Sequence, residues 1–302
     1  MLIGKDPGVS QTGSAKKLNL VLLFGGCLIV LAVFLAWFAL ERVQDKIQTD
    51  VGNALQTVLQ TTQESLTLWA QNRKFHIAQL ANNSLLVSLV ERQLSVPQGK
   101  TELLRSGLLT KLRDFFHDNK DRFGSSGFYI INPDCKNIAS LMDVEIGMTN
   151  VIALQRRDLI AKVFQGESVM VPPLRSESAG KSAIMFFAAP IYNHRGSVIA
   201  VLAQRVNPNE DFTRLIQLGR IGNSGETYAF SKYGSLLSKS RFDLELYQIG
   251  LIGVNEESIL TISIRDPGGN MVKGFRPSVP RYQQPLTLMA EQATRGQSGY
   301  NV

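Results

Sequence analysis

The sequence is poor in cysteine and histidine, with two Cys and three His in 302 residues. Two thiols cannot hold together a disulfide-stapled scaffold, and so few Cys and His exclude a Cys/His zinc module. His76, His117 and His194 are scattered and show no H-E-x-x-H spacing. Blocks of basic residues are also missing. Lys and Arg total 32 against 25 Asp and Glu, a net +7, but no run concentrates them, so nucleic acid is not an expected partner. No G-x-S-x-G is present to form a nucleophile elbow. Gly180-Lys181-Ser182 has the look of a P-loop tail, but Arg175 stands where the motif needs its first glycine. No catalytic set, metal or cofactor is expected. What remains is 44% apolar and 19% charged, a composition that is neither disordered nor collagenous.

The apolar residues are unevenly spread. Leu18–Leu40 reads LNLVLLFGGCLIVLAVFLAWFAL, 23 residues without a charge, between Lys17 and Glu41. At about 1.5 Å per residue the run spans roughly 35 Å of helix, enough for a hydrocarbon core of about 30 Å. Trp37 near one end suits the interface. The rival is a cleaved signal peptide, whose apolar region is about 7–15 residues long and ends in a small-x-small site. This run is longer and closes on Phe38-Ala39-Leu40, which favours an anchor. Lys5, Lys16 and Lys17 outweigh Asp6 on the amino-terminal side, whereas Glu41, Arg42, Asp45 and Lys46 cancel. The positive-inside rule therefore places the tail, 1–17, in the cytoplasm and residues 41–302 outside it. Membrane lipid around 18–40 is an expected partner. Cys27 would lie in the bilayer and Cys135 outside, so the two cannot pair.

From Glu41 to about Val96 there is no proline and one glycine, Gly52. Val43, Ile47, Val51, Leu55, Val58, Thr62, Leu66 and Trp69 recur at steps of three and four, the stripe of a long stalk helix over 41–96. The alternative is two helices broken near Asn82-Asn83-Ser84. Such a stripe needs cover, and a homodimer through the stalk and membrane helices is expected. After Pro97-Gln98-Gly99, Thr101–Phe123 reads as a second amphipathic helix. Gly127–Ile131 and Ile138–Leu141 read as a hairpin, Asp158–Phe164 as a short helix, and Ser182–Ile191 with Ser197–Val206 as a second hairpin. That alternation predicts an antiparallel α+β lobe over 101–215. A second lobe is expected over 219–302, with a hairpin of 226–230 and 236–240, a strand at 259–265, a helix at 285–294 and a strand starting at Gly299. It lacks the residues to finish a sheet, so the chain reads as a fragment.

Gly219-Arg220-Ile221-Gly222-Asn223-Ser224-Gly225-Glu226-Thr227-Tyr228, followed by Gly234-Ser235-Leu236-Leu237-Ser238-Lys239-Ser240, resembles the glycine-rich entry to the membrane-proximal lobe of double Cache (PAS-like) sensor regions in bacterial transmembrane receptors. The order of segments over 18–302 is similar as well. The resemblance implies an anchor helix, a stalk and two PAS-like antiparallel lobes, with a small molecule bound in the distal lobe, in a bacterial inner membrane. It also implies an output domain beyond the chain, for which a histidine kinase is expected, with a cyclase or chemoreceptor as alternatives. An amino-acid-binding subgroup of that family uses an Arg followed closely by aromatics, and an Asp on a late strand. Arg157 falls at the Arg position, but Asp158, Leu159 and Ile160 follow it, and Gln204 and Arg205 replace the Asp. Amino-acid binding in that mode is therefore not expected.

Tyr129, Arg157, Arg175, Phe187, Tyr192, Gln204 and Arg205 are the candidate ligand-binding residues. An Arg in a partly dry site grips a carboxylate bidentately, which suits an anionic metabolite. Against this stands the plainer reading of each Arg as a solvated surface residue and of Phe187 as core. Two rival functions are an anchored extracytoplasmic enzyme, which needs a nucleophile or metal set, and a ligand-free structural coiled coil.

Overall fold

The computed structural model describes residues 12–119, 127–176, 182–220, 222 and 225–299. The protein mixes helix and antiparallel sheet, led by a long apolar helix. It divides into two units, Met1–Gln56 and Thr57–Asn301.

Helix α1, Thr12–Ala81, belongs to both units. In the first unit Phe24, Ile29, Val33 and Trp37 are exposed, and none of residues 23–40 is buried. Val43, Ile47, Val51 and Leu55 continue as an exposed stripe. In the second unit the same helix turns inward, with Leu66, Trp69 and Ala70 packed on the core and Ile77, Leu80 and Ala81 buried in it.

The run ends where two asparagines interrupt it. Asn83 adopts an extended conformation, and its side-chain oxygen accepts from the amides of Leu85 and Leu86 at 3.0 and 3.3 Å, capping α2, Ser84–Leu94. The broken alternative is thus the one realised. The expected helix over 101–123 is likewise two, α3 (Lys100–Arg105) and α4 (Gly107–Asp118). Ser106 separates them in an extended conformation and caps α4 through the Leu108 amide. Phe123 lies outside the described residues.

Five strands form one antiparallel sheet in the order β2-β1-β5-β4-β3. They are β1 (Phe128–Ile131), β2 (Asn137–Ser140), β3 (Val169–Arg175), β4 (Ala183–Tyr192) and β5 (Val198–Val206). β1, β2, β4 and β5 sit where the alternation predicted them. The edge strand β3 escapes that reading because Pro172 and Pro173 interrupt it, and its register shifts between Val171 and Leu174. Between strands lie a 3-10 turn at Asp143–Glu145, α5 (Val151–Gln155) and α6 (Arg157–Phe164).

Both faces of the sheet are covered. Phe128, Ile130, Phe187, Ala189 and Leu202 face α1, α2 and α4. Tyr129, Ile131, Phe186, Val201 and Ala203 face Ile152 of α5 and Ile160 and Val163 of α6. At the free edge of β2, Gln93 donates to the Ile138 carbonyl at 3.0 Å and Arg113 to that of Ser140 at 2.9 Å, occupying acceptors an edge strand would leave open.

Beyond α7 (Asp211–Gln217) the structure departs from the expected second sheet. The hairpin of 226–230 and 236–240 is reduced to one bridge, Phe230 with Leu236, and the strand at 259–265 to bridges of Ser235 with Ser263 and Arg265 with Leu286. A short helix, α8 (Asp243–Gln248), was not foreseen, and the helix expected at 285–294 is α9 (Leu288–Thr294). Among the described residues, Leu236, Ile252 and Ile262 gather there as a small buried apolar cluster, with Leu246, Leu251 and Ile264 partly buried against it. So few apolar side chains cannot hold strands together without neighbours. Residues 300–302 of the expected last strand lie outside the described residues.

Gly219 opens the glycine-rich segment. A Cβ there would come within 2.7 Å of Val58 and 3.0 Å of Thr62 on α1, so only glycine lets this backbone lie against the helix. Thr227 closes the loop by donating to the Gly219 carbonyl at 2.7 Å. Glu226 accepts from the Ser240 hydroxyl at 2.8 Å and the Arg241 amide at 2.7 Å, tying the two halves of the motif together.

Candidate functional site

The sheet register sorts the candidate residues by face. Ser140 lies opposite Tyr129, and Arg205 opposite Phe186, on the face toward α5 and α6. Phe128, Gln204 and Phe187 lie opposite one another on the helix-covered face. Alternation along β5 therefore sends Gln204 and Arg205 to opposite sides. Tyr129 and Arg205 can share a site, while Gln204 and Phe187 stand behind the sheet. Phe187 meets Trp69 of α1 edge-on, with ring centroids 5.2 Å apart.

The group that joins Tyr129 and Arg205 is Glu145, at the end of the 3-10 turn. Its Oε1 accepts from the Tyr129 hydroxyl at 2.6 Å and from Arg205 Nη2 at 2.8 Å. Its Oε2 accepts from the Ser140 hydroxyl at 2.5 Å. Arg205 also donates to the Tyr129 oxygen, and its guanidinium carbon lies 5.4 Å from the centre of that ring. Tyr129 and Glu145 are buried, and the Arg205 side chain is 16% exposed. Burial, reinforced by the hydrogen bond to Glu145, pushes the Tyr129 phenol far above its ordinary value, although Arg205 opposes the shift. The hydroxyl thus stays protonated and remains a donor.

The turn carrying Glu145 is held from below and from the side. Asn137 donates to the Glu145 carbonyl at 3.1 Å, and Asn150 donates to Asn137 at 2.7 Å. Arg113 of α4 reaches Asp143 at 2.6 Å. Outside, Leu141, Val144 and Met148 are exposed.

The other candidates stand apart. Arg157 is exposed at the start of α6. Arg175 donates to the Leu260 carbonyl at 3.0 Å and the Thr261 hydroxyl at 2.8 Å, joining the end of β3 to the carboxy-terminal segment. Tyr192 donates to the Gly166 carbonyl at 3.3 Å at the far end of β4. Sequence reasoning missed Glu145 and Ser140. Neither carries a periodic signal, and the only hint was that a buried Arg on a strand needs a carboxylate from elsewhere.

An open cleft of about 710 Å³ runs along α7, between Asn209 and Arg220, and shares no residue with this cluster. Its charges are already engaged: Asp211 pairs with Arg73 at 2.6 Å and with Arg214 at 3.2 Å, and Arg220 donates to Gln217. The buried cluster is the better candidate site, because its groups converge on one point out of water. Among the described residues no three His, Cys, Asp or Glu are grouped to hold a metal.

No family model matches the chain, and no curated protein matches it. Several solved structures are similar. The sensor domain of the V. cholerae histidine kinase DctB is 16% identical, with 57% of this chain and 58% of that one covered and a TM-score of 0.39. The periplasmic domain of Vibrio cholerae LuxQ is 13% identical, with 67% and 87% covered and a TM-score of 0.38. The ligand-binding domain of the Campylobacter jejuni chemoreceptor Tlp3, in complex with L-valine, is 13% identical, with 63% and 76% covered and a TM-score of 0.33. This chain thus spans 58% of the length of the DctB sensor domain.

Proposed function

We propose that the chain is the membrane-anchored input module of a signalling receptor, which recognises a small solute without transforming it. The observation that carries this reading is the convergence of Tyr129, Ser140 and Arg205 on one buried point, on the sheet face turned away from α1. Such a point holds fixed donors for an acceptor.

In this reading 18–40 crosses an inner membrane, with the tail 1–17 in the cytoplasm and 41–302 outside. Residues 41–96 form the stalk region, 101–215 the membrane-distal, solute-binding lobe, and 219–302 the membrane-proximal part. The exposed stripe Val43, Ile47, Val51 and Leu55 pairs with a second copy. The solute shifts the balance between two arrangements only through its differing affinity for them. The output is a kinase, cyclase or chemotaxis domain joined to the receptor.

The test is thermal unfolding of the full chain in detergent against a panel of carboxylates, amines and nucleobases. A saturable rise in Tm from a solute recovered chemically unchanged supports the reading. A panel without effect, or a solute that is consumed, opposes it.

A further inference from the structure

We infer that the Tyr129, Ser140 and Arg205 side chains form a receptor for a carboxylate, and that Glu145 is its built-in occupant, which an incoming carboxylate ligand must displace. The inference rests on the proposed reading of this sheet face as the one that meets solute.

The geometry is that of a recognition site. Three donors from three adjacent strands, β2, β1 and β5, converge on one carboxylate and divide its two oxygens between them. Two are neutral hydroxyls and one is a guanidinium, so the set balances a single negative charge and discriminates against a neutral amide or an amine. The donors sit on strands fixed by the ladder, whereas the carboxylate arrives on a short 3-10 turn, Asp143–Glu145. That asymmetry matters. A rigid donor set filled by a side chain from a short turn can release its occupant while the sheet stays intact. Val144 of the turn is 65% exposed, while Ile146, which follows Glu145, is buried in the core and anchors the turn's end. Arg113 to Asp143 and Asn137 to the Glu145 carbonyl hold the backbone, so what an incoming anion displaces is the Glu145 side chain, held by the cluster. Leaving Arg205 unpaired in this setting is costly, so displacement requires another anion in place of the carboxylate. The chemical class of ligand is therefore a small molecule bearing a carboxylate.

Chemical rescue tests this. In the full chain, Glu145→Ala empties the site and is expected to lower Tm on the order of 10 °C. Acetate at constant ionic strength is expected to restore about half of that loss in a saturable way, as a ligand stabilises the state it binds. Acetamide is expected to restore none. Wild-type protein, with its site filled, is expected to show no such response to acetate, and E145A/R205M is expected to lose it. If E145A does not stay folded on purification, its refolding yield with acetate against acetamide reads the same quantity. An acetate response in E145A no larger than in wild type, or one that persists in E145A/R205M, overturns the inference. A hit in the solute panel with failed rescue sinks only the role given to Glu145. Successful rescue with a silent panel leaves the carboxylate receptor standing and sinks solute sensing.

Discussion

Trp69 of α1 stands edge-on against Phe187 of β4, with the ring centroids 5.2 Å apart. The pair fixes the sheet to the carboxy-terminal part of the long helix, and Phe212 adds a third ring 6.2 Å from Trp69. The Trp69 indole N–H is buried and has no hydrogen-bond partner among the described residues. Trp69→Phe keeps the ring contact and removes that unpaired donor, which by itself costs about 1–3 kcal/mol. It is expected to change stability by less than about 1.5 kcal/mol. Trp69→Ala is expected to cost about 3–5 kcal/mol. Denaturant unfolding of the two variants checks the contrast.

Arg205 and Glu145 lie 60 residues apart in sequence and 2.8 Å apart in space. Arg205→Met leaves a buried carboxylate without its cation and is expected to cost roughly 3–5 kcal/mol. E145Q/R205M removes both charges and is expected to recover part of that loss. A double-mutant cycle reads the coupling between them.

The Tyr129 phenol has a folded-state value raised by burial and by Glu145. Its contribution to stability is therefore complete below its unfolded value of about 10 and is lost as pH rises through that value toward the folded one. The difference in ultraviolet absorbance between wild type and Tyr129→Phe is expected to show no phenolate from Tyr129 until the chain unfolds in alkali. Ionisation of Tyr129 in a folded chain near pH 10 contradicts the closed cluster.

Lys239 and Glu257 meet at 2.8 Å, both about a third exposed. The hydrogen bond with Glu257 raises Lys239. Burial alone would raise the Glu257 carboxyl, but hydrogen bonds from Lys239 and Asn209 outweigh it and hold it below its ordinary value. The pair therefore stabilises above the unfolded carboxyl value of about 4.3 and below the unfolded ammonium value of about 10.4, and is lost as pH falls through the lowered carboxyl value. Solvent screening limits the effect to about 0.5–1 kcal/mol. Lys239→Met is expected to lower Tm by a few degrees at pH 7, with the difference from wild type vanishing in acid.

In the carboxy-terminal segment 225–299 strand pairing among the described residues is limited to isolated bridges and the buried apolar cluster of its own is small, while the sheet is buried on both faces. Limited proteolysis of the full chain is expected to cut within that segment before it cuts the five strands. Early loss of β1–β5 contradicts this order.

How much of this was legible in the sequence follows from what each element depends on. The apolar helix and four of the five strands depend on local periodicity, and the residues displayed it. β3 was hidden because its two prolines are tolerated only at an edge, and edge position is a property of the assembled sheet. The break at Asn83 could be read as a possibility but not chosen, since a capping asparagine competes with the helix on either side of it. In the carboxy-terminal segment, Ser235-Leu236-Leu237-Ser238 offers a short apolar pair between serines, yet strand formation needs neighbours that the described residues do not supply. At the site, Tyr129 and Arg205 were named from the sequence, but the faces of Gln204 and Phe187 needed the register, and Glu145 needed the fold that brings the loop after β2 over the sheet.

The most direct measurement is hydrogen–deuterium exchange of the full chain in nanodiscs, with and without a solute that raises its Tm. The account predicts slowed exchange in 128–131, 137–146 and 198–206, together with altered exchange in 66–81 of α1. Protection confined to 225–299, or a solute that leaves α1 unchanged, contradicts it.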